Sequence, residues 1–348
     1  MAERFFALSE ADRHEALEYA SDRSGRPIQL LDKDTWVVWA LSTLYDHPIG
    51  QQLVFKGGTS LSKAYGAIRR FSEDIDLTYD IRAIAPDLAG AESEPLPTTR
   101  SQQGRWTREI RQRLPEWIDS TVVPILKRAL DEQRMLAAVI REDDKIYLQY
   151  DPVAAGSVYV APTVQLEFGA RSTGEPASPR LIVCDAAGLV EGVAFPSATA
   201  RVMHAERTFW EKATAIHVYC RQGRQQANRY ARHWHDIVRL DDAGVADLAI
   251  ADRPLTEAVA RHKAMFFAAK AADRTHINYR AAVSGNLQLV PTGAAAFALS
   301  RDYLQMVDNG LLLDDAEPFD TLMARCAELE QRINRAADAA GDRRTTRM

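Results

Sequence analysis

Apolar and polar positions change period along the chain, and the changes mark its elements. From Leu8 to about Tyr45 the spacing is helical, with Ser9 as N-cap, Asp12 in the first turn and Pro27 as a break. A second helix is expected to start at Asp32 or Asp34 and to run through TWVVWALSTLY. Leu53-Val54-Phe55 then reads as a short strand that ends in Lys56-Gly57-Gly58. A short helix over Thr59–Ile68 follows, and Ile75 and Leu77 alternate with Asp74, Asp76 and Thr78 as a second strand. Residues 83–104 are rich in proline and small polar residues and read as a long loop. A helical segment over 105–138 is expected to break at Pro115 and Pro124.

Two further alternating runs, Lys145–Tyr150 and Pro162–Phe168, predict strands, and Leu181–Val183 an edge strand. From His204 onward the pattern is helical, over 204–221, 228–240, 254–271, 292–307 and 317–337. Leu322, Cys326, Leu329 and Ile333 form a packing stripe in the last of these, and the tail GDRRTTRM is expected to fray. Few strands, not regularly interleaved with helices, predict an α+β fold: a mixed-sheet core with a helical C-terminal half. The expected division is 1–200, holding the core, N-terminal helices and a helical insertion near 83–140, and 201–348, an all-helical domain.

Composition narrows the function. The 348 residues, 46% hydrophobic and 26% charged, describe an ordinary globular chain, and a net charge of −5 argues against coating nucleic acid by bulk charge. The 3 cysteines form no CxxC pair, and no apolar run approaches the ~20 residues of a membrane helix. The N-terminus carries charges where a signal peptide needs an apolar stretch, so a cytoplasmic protein with no membrane role is expected.

The chemistry concentrates in FKGGTSLS, residues 55–62, followed by RFSEDIDL, residues 70–77. Gly57 and Gly58 let backbone approach a ligand, and Thr59 and Ser60 open a helix whose N–H groups favour phosphate. Asp74 and Asp76, two apart on a strand, project from one face and suit Mg²⁺ or Mn²⁺, hard cations that keep positions open for substrate phosphates. Glu167, alternating with Val164, Leu166 and Phe168, is the best third carboxylate. Alone, a glycine pair is a tight turn and a DxD a solvated edge; their order carries the reading.

The run FKGGTSLSKAYGAIRRFSEDIDL resembles the signature of the AbiEii/AbiGii nucleotidyltransferase family, toxins of type IV toxin–antitoxin systems, related to the MenT toxins and more distantly to the DNA polymerase β-like superfamily. The likeness extends to ERTFWEKATAIH at 206–217, RHWHDIVRL at 232–240 and, loosely, SGNLQLVP at 284–291. The resemblance implies a polymerase β-like core and NMP transfer from an NTP with release of pyrophosphate. It implies Asp74, Asp76 and Glu167 as metal ligands, Glu167 alternatively accepting the proton of the attacking hydroxyl. Gly57, Gly58, Thr59 and Ser60 would bind the nucleotide phosphates, Lys212 would face the triphosphate, and Asp236 would orient Lys212 or the base. It further implies an RNA acceptor, the 3′ end of tRNA, and an antitoxin encoded nearby. Transfer to a protein hydroxyl and non-catalytic nucleotide binding are the competing functions. The insertion at 83–140 departs from the family pattern and leaves open whether Glu167 or another acid completes the site.

Weaker signals point the same way or nowhere. Between 201 and 240 eight Arg or Lys face three acidic residues, including Arg221, Arg224, Arg229 and Arg232. A second run holds Arg100, Arg105, Arg108, Arg111 and Arg113 around Trp106; each run is a solvated face or a phosphate contact. His233 and His235 stand two apart, a spacing unsuited to one metal on a helix, and read as surface residues. Trp36, Trp39 and Met265-Phe266-Phe267 read as core. Neither a GxSxG elbow nor a GxxxxGK[ST] loop is present.

Overall fold

The computed structural model of the protein describes residues 2–70, 72, 74–90, 92–154, 161–223, 229–312 and 316–345. Phe71, Glu73, Arg224, Asn228 and residues 346–348, which figure in the motifs above, lie outside them. The chain divides into two compact units. The first comprises Met1–Ala64, Phe71–Pro95 and Gly104–Met203, the second Tyr65–Arg70, Leu96–Gln103 and His204–Met348.

The first unit is built on a seven-stranded mixed sheet. Its strands are β1 (Leu53–Lys56), β2 (Asp74–Tyr79), β3 (Ala137–Glu142), β4 (Lys145–Tyr150), β5 (Thr163–Gly169), β6 (Ala177–Val183) and β7 (Ser197–Met203). They lie in the order β3-β4-β5-β2-β1-β7-β6, with β2 parallel to β5 and β1 parallel to β7. Alternation decides which side each residue takes. Phe55 pairs with Leu77 and Leu77 with Phe168, while Ile75 pairs with Leu166 and Leu166 with Ile146, all fully buried or nearly so. This apolar face is the core, and Trp117 closes it by stacking on Tyr79 at 3.9 Å between ring centroids and meeting Phe168 edge-on. The other face carries the polar residues of the same strands.

Two strands were not expected. β3 takes the last two residues assigned to a helix, Ala137 and Ala138, with four that had no assignment, and forms a tight hairpin with β4, turning at Asp143 with φ 50°. β7 was unassigned, because SATARVM offers small residues, yet Ala198, Ala200 and Val202 alternate inward and are buried. β6 is the edge strand predicted, extended back to Ala177. The Arg100–Trp117 helix contains Pro115 without ending there; one π-turn, Ile118–Val122, absorbs the disruption before Val123–Glu132 resumes.

Helix α1 (Glu10–Ser24) is capped by Ser9 as read, its hydroxyl accepting the Asp12 N–H. Helix α2 (Ile28–Tyr45) instead begins right after Pro27, so Asp32 and Asp34 lie inside it and are buried. They tie distant backbone: Asp32 accepts the Val153 N–H at 3.1 Å, and Asp34 accepts the Asp185 N–H at 2.6 Å. Burial pushes the Asp32 carboxyl up to about 6. Asp34 also pairs with Lys63, which reaches Asp185 at 2.7 Å. Lys63 is the last residue of helix α3 (Gly57–Lys63), so this buried cluster anchors the helix that follows the glycine pair. Lys63→Met strands a buried carboxylate and is expected to cost about 3–5 kcal/mol. Urea denaturation checks it; a loss below about 1 kcal/mol would show that α3 is held by packing alone.

The second unit is helical through its C-terminal part: Ala205–Gln222, Arg232–Asp242, Val245–Ala251, Arg253–Phe266, Tyr279–Ala282, Gly293–Asp308 and Phe319–Thr345. The last continues beyond 337 into the tail expected to fray. Leu322, Cys326, Leu329 and Ile333 are buried as read, whereas Phe267 is exposed rather than core. Buried Trp234 and Trp210 each donate their indole N–H to a carbonyl, of Leu289 at 2.6 Å and of Ala249 at 2.9 Å. No helix among the described residues is long and apolar enough to cross a membrane.

Candidate active site

β1 stops at Lys56, and the chain turns at once into α3, with Gly57 at φ +80°. A glycine is required there twice over. The left-handed conformation disfavours a side chain, and a Cβ would lie 2.8 Å from Cγ of Asp76, closer still to Oδ2. The Asp76 carboxylate therefore rests directly on the backbone of the turn.

Register places its neighbours. Lys56 on β1 pairs with Asp76 on β2, Asp76 with Glu167 on β5, and Glu167 with Lys145 on β4. Residues paired across strands point to one side of a sheet, so these four charges form a row on the polar face. In the adjoining row Asp74 pairs with Gln165, and Gln165 with Tyr147. Asp74, Asp76 and Glu167 thus share a face, as their spacing predicted. Glu167 also holds an ion pair with Lys145, 3.1 Å from Nζ to Oε2. Burial is the largest influence on Lys145 and opposes its charge, but the bond and charge of Glu167, with Tyr147 and Asp144, together raise its pKa.

The Thr59 and Ser60 hydroxyls are engaged internally, so a phosphate contact at these residues falls to their backbone N–H groups, as the sequence reading has it. Both are buried; the Ser60 hydroxyl donates to the Gly57 carbonyl at 2.9 Å, and the Thr59 hydroxyl donates to the Asp74 carbonyl and meets the Ser72 hydroxyl at 2.9 Å. The Thr59 side chain fastens α3 to the start of β2, and the Ser60 hydroxyl is spent within α3. No side chain caps the first turn of α3.

Lys212 and Asp236 belong to the second unit and meet there at 2.7 Å, both buried. Arg70 completes a triad, its Nε and Nη2 donating to the two Asp236 oxygens at 2.6 and 2.9 Å. Burial works to raise the Asp236 carboxyl, but Arg70 and Lys212 hold it far below the usual carboxylate range. Burial pushes Lys212 down, with Asp236 opposing. Asp236 is an anchor for two cations, a geometry suited to orienting Lys212 and not to taking up protons.

Sequence reasoning gave no role to Lys145, Arg70 or Lys63. Lys145 did carry a signal: it occupies a polar position of an alternating strand. His235 is fully buried and His233 partly so, where surface positions were expected, since Arg232–Asp242 packs nearly all round. Burial depresses the His233 pKa well below its ordinary value. Among the described residues no three His, Cys, Asp or Glu side chains are gathered closely enough to hold a metal by themselves.

Paired aspartates beside a glycine turn on an α+β unit are the arrangement that the resemblance implies for a nucleotidyltransferase. The family model for the nucleotidyl transferase AbiEii toxin of type IV toxin–antitoxin systems matches residues 39–325, and the chain belongs to that family. It is thus a nucleotidyltransferase toxin, and membership implies an NTP substrate and a cognate antitoxin. Among solved structures it is similar to JHP933 from Helicobacter pylori, with 15% identity over 92% of this chain and 98% of that one at a TM-score of 0.42. It is also similar to the nucleotidyltransferase toxin MenT4 from Mycobacterium tuberculosis, with 19% identity over 95% and 99% of the two chains at a TM-score of 0.39. No curated protein matches the sequence.

Proposed function

We propose that the chain transfers an NMP group from an NTP to RNA, with the 3′ end of tRNA as acceptor, and that Asp74 and Asp76 hold Mg²⁺ for the reaction. The observation that carries the reading is the Asp76 carboxylate seated on the Gly57 turn, with Asp74 beside it on the same face and Glu167 in register. The donor set fits the ion. Mg²⁺ is usually held by one or two carboxylates and takes its remaining ligands from water and substrate phosphates, so no three-carboxylate cage is needed. When bound, the cation supplies charge stabilisation to the oxygens attacking and leaving phosphorus.

The chain's own residues do the rest. The Gly57 turn, with no side chain of its own, lets the triphosphate approach the backbone N–H groups that open α3. Glu167, held by Lys145, accepts the proton of the attacking RNA hydroxyl as its oxygen bonds the α-phosphorus and the bond to pyrophosphate breaks. Within the second unit, Asp236 holds Lys212 in a fixed orientation. Lys145 acts through Glu167 as a positioning residue. Lys145→Ala is expected to lower kcat about tenfold and stability by less than about 1 kcal/mol, while Lys145→Arg restores most of kcat. Equal loss in both variants would show that Glu167 needs no such partner.

The exposed arginines of the Arg100–Trp117 helix support a polyanionic acceptor. Trp106, Ile110 and Leu114 form its buried stripe, so Trp106 is core, and Arg105, Arg108 and Arg111 lie outside it and are exposed. Arg113 is engaged by Asp87 and Glu109, but Arg171 stands near enough to Arg111 that its pKa is lowered, first by burial and then by that like charge. Like charges placed together favour phosphates. Incubation with each α-labelled NTP, with and without Mg²⁺, beside total RNA and a protein extract tests the reading. Mg²⁺-dependent label in tRNA supports it; label confined to protein, or binding without pyrophosphate release, replaces it with one of the other functions.

A further inference from the structure

The second unit contains a cavity of about 220 Å³ lined by His217, Arg221, His276, Asn278, Ala281 and Asn286 among others. His217 and Arg221 stand four apart on Ala205–Gln222 and so share a face of that helix. His217 is 5% exposed, and its Nδ1 accepts the Gln288 N–H at 3.1 Å. A ring nitrogen that accepts carries no proton, so the neutral imidazole bears its hydrogen on Nε2. Burial, and then Arg221, bring its pKa down to about 4, so His217 stays a neutral donor at physiological pH.

Asn278 uses its Oδ1 to accept the Ala281 N–H at 3.0 Å, which leaves its amide N–H groups for the cavity. Arg221 makes no side-chain hydrogen bond or ion pair among the described residues. Asp273, a carboxylate that feels the Arg221 charge, is engaged by the Thr275 N–H at 2.9 Å and hydroxyl at 2.6 Å. The cavity thus gathers one permanent cation and two sets of neutral donors, against the single amide oxygen of Asn286, whose Nδ2 bonds the Ala281 carbonyl. Directional donors beside a fixed positive charge, in an otherwise largely apolar wall, select an oxyanion. Ligand sites for drug-sized molecules run to roughly 300–1,000 Å³, so this one admits a phosphate with a small appendage and no complete nucleoside triphosphate.

We propose that this cavity is a binding site for a nucleotide phosphate group, with Arg221 as its charge and His217 and Asn278 as its directional donors. The site does not depend on the transfer reaction. Its ligand is either a free mononucleotide or a phosphate of an RNA chain, and both offer the same oxygens.

Calorimetric titration of the Asp76→Ala chain in EDTA keeps nucleotide from being recruited through the aspartates. Inorganic phosphate, a 5′-mononucleotide and a short oligoribonucleotide are the probes. At least one is expected to bind, with Arg221→Gln weakening it tenfold or more and Arg221→Lys less. Because Arg221 makes no side-chain hydrogen bond or ion pair among the described residues, Arg221→Gln should fold as the parent does, and a melting curve checks it. The strongest binding by the mononucleotide identifies a free ligand, and by the oligonucleotide an RNA phosphate. If no probe binds, or if Arg221→Gln and the parent bind alike, the proposal fails.

Discussion

Asp76→Ala is expected to lower NMP transfer by roughly 10³–10⁴-fold while leaving the fold in place. A cation positioned at a phosphoryl group is worth several kcal/mol, and each 1.4 kcal/mol is about tenfold in rate. The carboxylate lies on the polar face of β2, outside the core formed by Ile75, Leu77 and Phe55, so its removal opens no apolar cavity. Urea midpoints of the two proteins should agree within about 1 kcal/mol, as for other substitutions away from the core. Labelled transfer and denaturation, measured on the same preparations, check both halves. Full transfer by the variant would remove Asp76 from the reaction.

Gly57→Ala should be nearly as damaging, for a different reason. The added methyl lands against the Asp76 carboxylate, 2.8 Å from Cγ, and the backbone at φ +80° disfavours it as well. The carboxylate must move, and displacement of a reacting group by about 1 Å costs on the order of 10²-fold in rate. The strained backbone adds roughly 1–2 kcal/mol of instability. Gly66 separates the two effects: its φ is +60°, and a Cβ there meets nothing within 4 Å. Gly66→Ala should lose comparable stability and retain transfer. If both variants transfer equally well, close approach of the turn to Asp76 is not needed.

The geometry of the candidate site was legible because its logic is local. Two glycines after an apolar run force a turn, and Asp74 and Asp76 on one alternating strand must share a face. Even the remote Glu167 could be found, since its strand alternates cleanly. What escaped depended on contacts distant in sequence. Nothing in the run around Asp34 says that it will meet Lys63 and the Asp185 backbone, so a helix cap was the natural reading. β7 was missed because alanines signal strand weakly, although their alternation was present. Arg70 sits inside the signature, but only the fold shows that it shares Asp236 with Lys212. That the Thr59 and Ser60 hydroxyls would be spent on the Asp74 and Gly57 carbonyls was likewise invisible in the sequence.

The central claim is that the chain moves the α-phosphoryl group, with its nucleoside, onto RNA. Parallel reactions with α-labelled and γ-labelled NTP test it most directly. The account predicts α-label in RNA and γ-label in pyrophosphate, in equal amounts, both lost in Asp76→Ala. Label from the γ-position in RNA, or α-label that stays in free nucleotide while pyrophosphate is absent, would contradict it.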